Sequence, residues 1–494
     1  MTNLFFDNLG ESSWDNIPWH DLNVHLFKIQ TKIYNATCKK QIVTRKKMQL
    51  MLLEGYSTRL IALYRVTQYP FIKKKFQDTD FSIIYVMKEL LEASTISSQN
   101  IKYESIWSFK TDLLIQNSLH KQIFALLVDL MQQEIIKIVL EPQFEAHFVN
   151  DLYGFRPGRN HHDALGKLYS SLIGDEQLVA NVNLNDSLSK LNYFIYLDNI
   201  DINPIIKNKI LKWLDFGLMH EYFYQSISFD KHIFDLPRGS ILAPLLINFV
   251  LNDIYFSIRS NILKKFGIQH NLNIIFYGFH CVLISKSSIL LDYSINLLKR
   301  WFNDLACNLN NKSIDIKCCR DGFNFLNYHI ILFERKKNYS VVPSIQAIQL
   351  FNQGNRETIQ LLKSAPIKKM INSLRSRILN WGTLYSQYNS KQIFYYVDKV
   401  LFSQIRASIL RRHPNKSRYW ISAKYFPSCS SYYFNEKYYK SSWILTDTNS
   451  LTREFVPKMQ WLLKKPYIKI VKRGLCIIYS FFEIQVYKSK LLIN

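Results

Sequence analysis

The chain has 494 residues, 48% hydrophobic and 20% charged, which is enough apolar material for two to four packed units and too much for a disordered polymer. Its formal net charge of +25 calls for a polyanionic partner, nucleic acid or an anionic membrane surface. None of the seven cysteines forms a C-x-x-C pair or a Cys/His cluster of zinc spacing, and no apolar run is long enough to span a bilayer.

The opening residues, MTNLFFDNLGESSWDN, are acidic and unlike an Arg-rich transit peptide, so the expectation is a protein made where it works or needing no import. Residues 20–68 read as mostly helical and basic, with seven Lys/Arg and no acid from Leu22 to Leu53. Residues 117–147 carry apolar side chains at helical spacing, with an end expected near Pro142. LYGFRPGRNHHDAL (152–165) sets a Pro-Gly turn between Arg156 and Arg159. That turn is either ordinary surface or a phosphate grip, because guanidinium forks match phosphate oxygens. His161 and His162 are expected as surface or capping residues rather than metal ligands.

Residues 193–300 alternate strand-like runs, NYFIYLD among them, with helices, which is an α+β pattern. LPRGSILAPLLINFVLNDI (236–254) is a Gly-Ser turn feeding a long apolar helix, with Arg238 where a nucleic-acid strand could approach. In NIIFYGFHCVLIS (273–285), Tyr277-Gly278-Phe279-His280 interrupts a strand-forming run and predicts a tight hairpin. Adjacent Cys318 and Cys319 are expected to pack.

After Pro366 the pattern turns helical. One helix has Ser390 as N-cap and an apolar face of Ile393, Val397, Val400, Leu401, Ile405 and Ile409, and it stops at Arg411-Arg412-His413-Pro414. Charge is segregated: Ser364–Asn494 has 23 Lys/Arg against 5 Asp/Glu, a net of +18, whereas Asp151–Asp253 has 9 against 12, a net of −3. Such segregation marks a binding surface rather than evenly solvated helices.

Taken in order, these stretches resemble a group II intron-encoded protein, a reverse transcriptase-like maturase. YGFRPGR (153–159) resembles the family's core block, and Pro237–Leu246 its Pro-x-Gly-x-x-x-x-Pro-Leu-Leu pattern. GFNFLNYHI (322–330) resembles the block closing the palm, YSTRLIALYRVTQ (56–68) the first fingers block, and ILRRHPNKSRYWISAKYF (409–426) the maturase-specific domain X. The likeness covers most of residues 14–475. It implies an α+β right-hand polymerase fold: a basic helical extension and the start of fingers over 1–90, fingers and palm over 91–345, helical thumb and domain X over 346–430, and a basic remainder over 431–494. YIKIVKRG (467–474) resembles the stretch before an optional endonuclease module, and the zinc framework such a module needs is not in the sequence.

The resemblance also says what the hairpin is for. The family bears Tyr-Ala-Asp-Asp there, and the paired metal-binding aspartates correspond to Phe279 and His280 here. An ungapped alignment of LDNIDINPIIKNKIL (197–211) puts Asn192 in place of the third aspartate, with Asp198 and Asp201 read as caps of the next helix. The fingers block near YESIWSFKTDLL (103–114) is barely recognisable. The expectation is a hairpin kept as scaffold with its polymerase chemistry lost, no cofactor, and no bound metal.

RNA binding then falls to the cations Lys368, Lys369, Arg375, Arg377, Lys399, Arg406, Arg411, Arg412, Lys416, Arg418 and Lys424, with the aromatics Trp381, Tyr385, Tyr419 and Trp420, at least half of which are expected in the core. The implied activity is stabilising a structured intron RNA for splicing, with a homodimer allowed. The rivals are a working RNA-directed DNA polymerase and a basic peripheral membrane protein. Abundant Asn, Ile, Lys, Tyr and Phe suggest an AT-rich organellar genome, plastid ahead of mitochondrion.

Overall fold

The computed structural model describes residues 17–69, 72, 90–91, 94, 119–172, 177–198, 200–215, 240–267, 271–333, 338–388, 390–427, 431–447 and 454–462. The 103–114 block, Arg238 and 467–474 lie outside them. Three helices open the described chain, α1 (Trp19–Cys38), α2 (Ile42–Glu54) and α3 (Tyr56–Thr67), and pack with the long α4 (Leu119–Glu145). α4 ends at Glu145, close to the expected end near Pro142, but carries Pro142 inside its last turn. Proline has no N–H to give the carbonyl four residues back. That carbonyl, Ile138 O, accepts instead from Gln30 Nε2 of α1 at 3.0 Å, so the missing bond is replaced from outside the helix.

The centre is built from α5 (His161–Ser171), β1 (Leu178–Asn183), α6 (Asn185–Ser189), α7 (Phe194–Asp198), α8 (Pro204–Asp215), α9 (Ala243–Phe266), β2 (Asn273–Tyr277), β3 (His280–Ser285), α10 (Ser288–Asn303) and β4 (Ile314–Cys318). The strands form an antiparallel sheet in the order β2-β3-β1-β4. Both its faces are covered. Ala180, Val182, Ile274, Phe276, Cys281 and Leu283 join one core, while Val179, Ile275, Val282 and Ile284 join another. A strand buried on both faces has no need of polar alternation, which is why residues 273–285 read as a nearly continuous apolar run.

NYFIYLD, expected to be strand-like, contains the one-turn helix α7. Asn192 Oδ1 accepts from Phe194 N at 3.1 Å and favours the turn, and Tyr193 and Leu197, four apart, go into the core while Ile195 stays outside. Asp201 does not cap α8: it pairs with Arg45 at 2.6 Å and Lys46 at 2.8 Å, and Asn203 Oδ1 accepts from Ile205 N instead.

A second sheet, β5 (Phe323–Phe325), β6 (Tyr328–Phe333) and β7 (Asn338–Pro343), leads to α11 (Ile345–Leu361), α12 (Ile367–Tyr385), α13 (Lys391–Arg412) and α14 (Arg418–Tyr425), followed by the hairpin β8 (Ser431–Phe434) and β9 (Lys437–Lys440). The apolar face of α13 buries Phe394, Val397, Leu401, Ile405 and Ile409, with Ile393 and Val400 half-buried. Ser390 sits at its N-cap but donates its hydroxyl to Tyr385 O, so the cap is positional only. No described helix is long and apolar enough to cross a membrane.

Candidate functional site

Three distant stretches meet at the β2–β3 turn. Tyr153 N donates to Phe276 O and Phe276 N to Asp151 O, each at 2.9 Å, so residues 151–153 run beside β2 like a short extra strand. Asn248 of α9 donates to Gly154 O at 2.9 Å. The backbones touch closely enough that a Cβ on Gly154 would lie 2.1 Å from Gly278 N, so only glycine fits. Gly278 itself holds φ +54, as the first position of a two-residue hairpin loop requires.

The turn displays Phe279 and His280. The Phe279 ring meets that of Phe155 edge-on at 6.0 Å. Burial lowers the His280 pKa below its ordinary value, so the imidazole is neutral at physiological pH. Across the sheet, the β1 residue opposite His280 is Asn183, and Leu184 N donates to Phe279 O at 2.8 Å. Asn192, expected here, lies beyond α6 and is exposed, with its carboxamide spent on α7. Asn183 and Asn181, both missed in the sequence, are the β1 side chains on the relevant strand. The signal was there in LVANVN, where polar residues punctuate a strand period, but only the pairing identifies the neighbour. Phenyl, neutral imidazole and carboxamides are a poor set for Mg²⁺, which needs hard anionic oxygens. Among the described residues, no three His, Cys, Asp or Glu side chains gather to share a metal.

The expectation for Arg156 is corrected. Its side chain is 1% exposed and grips Glu145, itself 2% exposed, through Nη2 at 2.7 Å and Nε at 2.9 Å, while Nη1 donates to Val149 O and Leu152 O. A guanidinium buried against Glu145 with all three nitrogens hydrogen-bonded inside the protein is not presented to phosphate. Arg159 is half-buried, bonded to Asn150 and lying over the Tyr153 ring at 5.4 Å. His161 and His162 are buried rather than at the surface, ring to ring at 3.8 Å, with His162 Nδ1 2.9 Å from the Tyr388 hydroxyl. Burial pushes their pKa values down to about 3 and about 4.

The C-terminal cations divide into two sets. Lys369, Lys399, Arg406, Arg411, Lys416 and Arg418 are exposed. Lys368 is exposed but pairs with Glu454 at 2.9 Å. Arg375 and Arg377 are half-buried over the Phe455 and Phe351 rings, Arg377 Nε also donating to Asn355 Oδ1 at 3.0 Å. Arg412, half-buried, donates to Leu362 O at 2.9 Å and ties α13 to α11.

Where α13 stops, the turn through Pro414 is exposed, and Ser417 restarts the chain as the N-cap of α14 by accepting from Trp420 N. Trp420 lies between Lys416, 5.4 Å from its centroid, and Lys424 at 4.8 Å. Tyr419 beside it is 85% exposed. Trp381 and Tyr385 instead pack in the helical core, Trp381 stacked on Phe351 and tilted against Tyr385. The surface can therefore offer positive charge beside the open Tyr419 ring.

Residues 14–81 match the N-terminal domain of reverse transcriptase, and residues 348–426 match the group II intron maturase-specific domain. Maturase-like protein 1 of Euglena gracilis is 22% identical over 414 residues, covering 81% of this chain and 84% of that protein. An uncharacterized protein in psbD intron 8 of the same organism is 23% identical over 59% of this chain and 60% of its own length. The group II intron-encoded protein LtrA of Lactococcus lactis is 25% identical over 26% of this chain and 20% of that protein. With a match to the reverse transcriptase N-terminal domain towards one end and to the maturase-specific domain towards the other, the chain is similar to reverse transcriptase-like group II intron maturases.

Proposed function

We propose that this chain binds a structured group II intron RNA and stabilises its splicing-active fold, the RNA itself carrying the chemistry. The observation that supports this most is the exposed cation set at the α13–α14 break, with Trp420 held between two lysines, in a region of net charge +18. Cations there neutralise phosphates, and release of counterions drives association. Preference for the folded RNA over its unfolded forms shifts the RNA equilibrium by the difference in affinity. The hairpin serves as scaffold: residues 91–345 are read as degenerate fingers and palm without polymerase activity, and 346–430 as thumb and domain X. The cell compartment is read as an organelle, plastid ahead of mitochondrion, from the Asn-, Ile- and Lys-rich composition.

The test is splicing of the intron that carries or neighbours the reading frame, assayed with purified protein at Mg²⁺ too low for the RNA alone. Protein-dependent splicing is the expected result. An intron RNA that splices no faster with saturating protein would overturn the reading.

A further inference from the structure

The exposed apolar side chains change character along the chain. Up to Leu361 they include many aliphatics, such as Ile42, Val43, Ile289, Ile345 and Leu361. Beyond it, among the described residues, the large exposed ones are Tyr395, Tyr396, Tyr419, Tyr433, Tyr438 and Trp443, and no aliphatic is among them. Three of these lie past the end of the maturase-specific match at residue 426.

Their placement follows from strand geometry. In the β8–β9 hairpin, Asn435 and Glu436 both take positive φ, which a two-residue turn of this hand requires, and the register sets Tyr433 opposite Tyr438 and Ser431 opposite Lys440. Alternate side chains point to opposite faces. Tyr432 and Phe434 point inward and pack with Phe455 and Trp461, while Tyr439 stacks on Trp461 at 4.6 Å. The outward face carries Tyr433 and Tyr438, 58% and 77% exposed with rings 5.0 Å apart, and Lys440 beside them; Lys437, exposed at the turn, pairs with Phe434 and belongs to the other face. Trp443 follows, 65% exposed and stacked on Phe402 at 5.3 Å and 14°. The inner cluster also meets Leu379 of α12, and Arg375 of α12 lies over Phe455, so the hairpin is continuous with the cationic helices.

We propose that the outer face of this hairpin is a stacking platform for unpaired RNA bases, with Tyr433 and Tyr438 receiving them and Lys440 meeting an adjoining phosphate. The proposal rests on the RNA-binding reading above. Open ring faces beside an ammonium group suit single-stranded nucleic acid, since every base has a π-face and stacking tolerates any sequence.

The experiment uses the full chain and a single-stranded oligoribonucleotide of about ten nucleotides containing one 2-aminopurine, followed by fluorescence quenching and by affinity. Tyr433→Ala/Tyr438→Ala is expected to abolish the quenching and weaken binding roughly ten- to a hundred-fold. Tyr433→Phe/Tyr438→Phe keeps both rings and should keep both signals. Tyr433→Leu/Tyr438→Leu keeps apolar area without a π-face and should behave like the Ala pair, which decides the matter even if the Ala pair unfolds. Wild-type affinity in the Ala pair, or equal behaviour of the Leu and Phe pairs, would overturn the platform. If the Ala pair still binds intron RNA in a manner that depends on Arg411, Lys416 and Arg418, only the platform fails. If the wild-type chain binds no intron RNA, the RNA-binding reading fails and the platform with it.

Discussion

Asn183, the last residue of β1, stands directly across the ladder from His280, the first residue of β3. If this hairpin is the counterpart of a polymerase metal site, as its resemblance implies, a carboxamide and a neutral imidazole stand where two metal ions would need anionic oxygens. Purified protein is expected to extend no primer on an RNA template with Mg²⁺ or Mn²⁺. Phe279→Asp with His280→Asp should still give none, because Asn183 supplies no third carboxylate. Primer extension by either protein, followed on a denaturing gel, would contradict this.

Arg156 and Glu145 form a buried pair, and removing one partner strands the other charge in the core. Arg156→Ala is expected to cost about 3–5 kcal/mol in a denaturant titration. Arg156→Met with Glu145→Leu should recover most of that loss, since an apolar pair needs no solvation. RNA affinity of the folded fraction should be unchanged in both.

Arg411, Lys416 and Arg418 are exposed, so replacing all three by Ala should change stability by no more than about 0.5 kcal/mol each. Intron affinity should fall, and the slope of log K against log salt should flatten by roughly two to three, near 0.9 per lost phosphate contact. Arg412 is left in place because its bond to Leu362 O is structural. Ile405→Ala, a buried position, is the contrasting case and should cost about 2–5 kcal/mol of stability. An unchanged salt slope in the triple variant would place the phosphate contacts elsewhere.

His161 and His162, held near 3 and 4 by burial, stay neutral in the fold at pH values where the unfolded chain protonates them. Their contribution is complete above the ordinary value of 6.5 and is lost as pH falls toward 4. Asp129 and Asp398, raised to about 6, act in the opposite sense between their ordinary 3.8 and 6, so the histidine effect is read as a difference between proteins. His162→Gln, which can still meet the Tyr388 hydroxyl, should flatten the acid limb of stability against pH by up to about 1.4 kcal/mol per pH unit. An identical acid limb in both proteins would mean that His162 titrates normally.

Local periodicity and composition determined a good deal. The two-sided apolar run at 273–285, the apolar stripe of α13 and its stop before Pro414, and the excess of cations after Ser364 are all properties of neighbours in the chain, and a strand or helix repeats them faithfully. What only the tertiary structure decided involves partners far apart in sequence. Arg156 and Arg159 look alike in a turn of four residues, yet Glu145 reaches only the first and takes it into the core. Pro142 should end a helix, yet Gln30 of α1 caps the carbonyl it leaves free. Asn192 and Asn183 are equally good asparagines on paper, but strand pairing sets only Asn183 opposite His280. Burial and pairing depend on which surfaces meet, and no window along the chain contains both halves of such a contact.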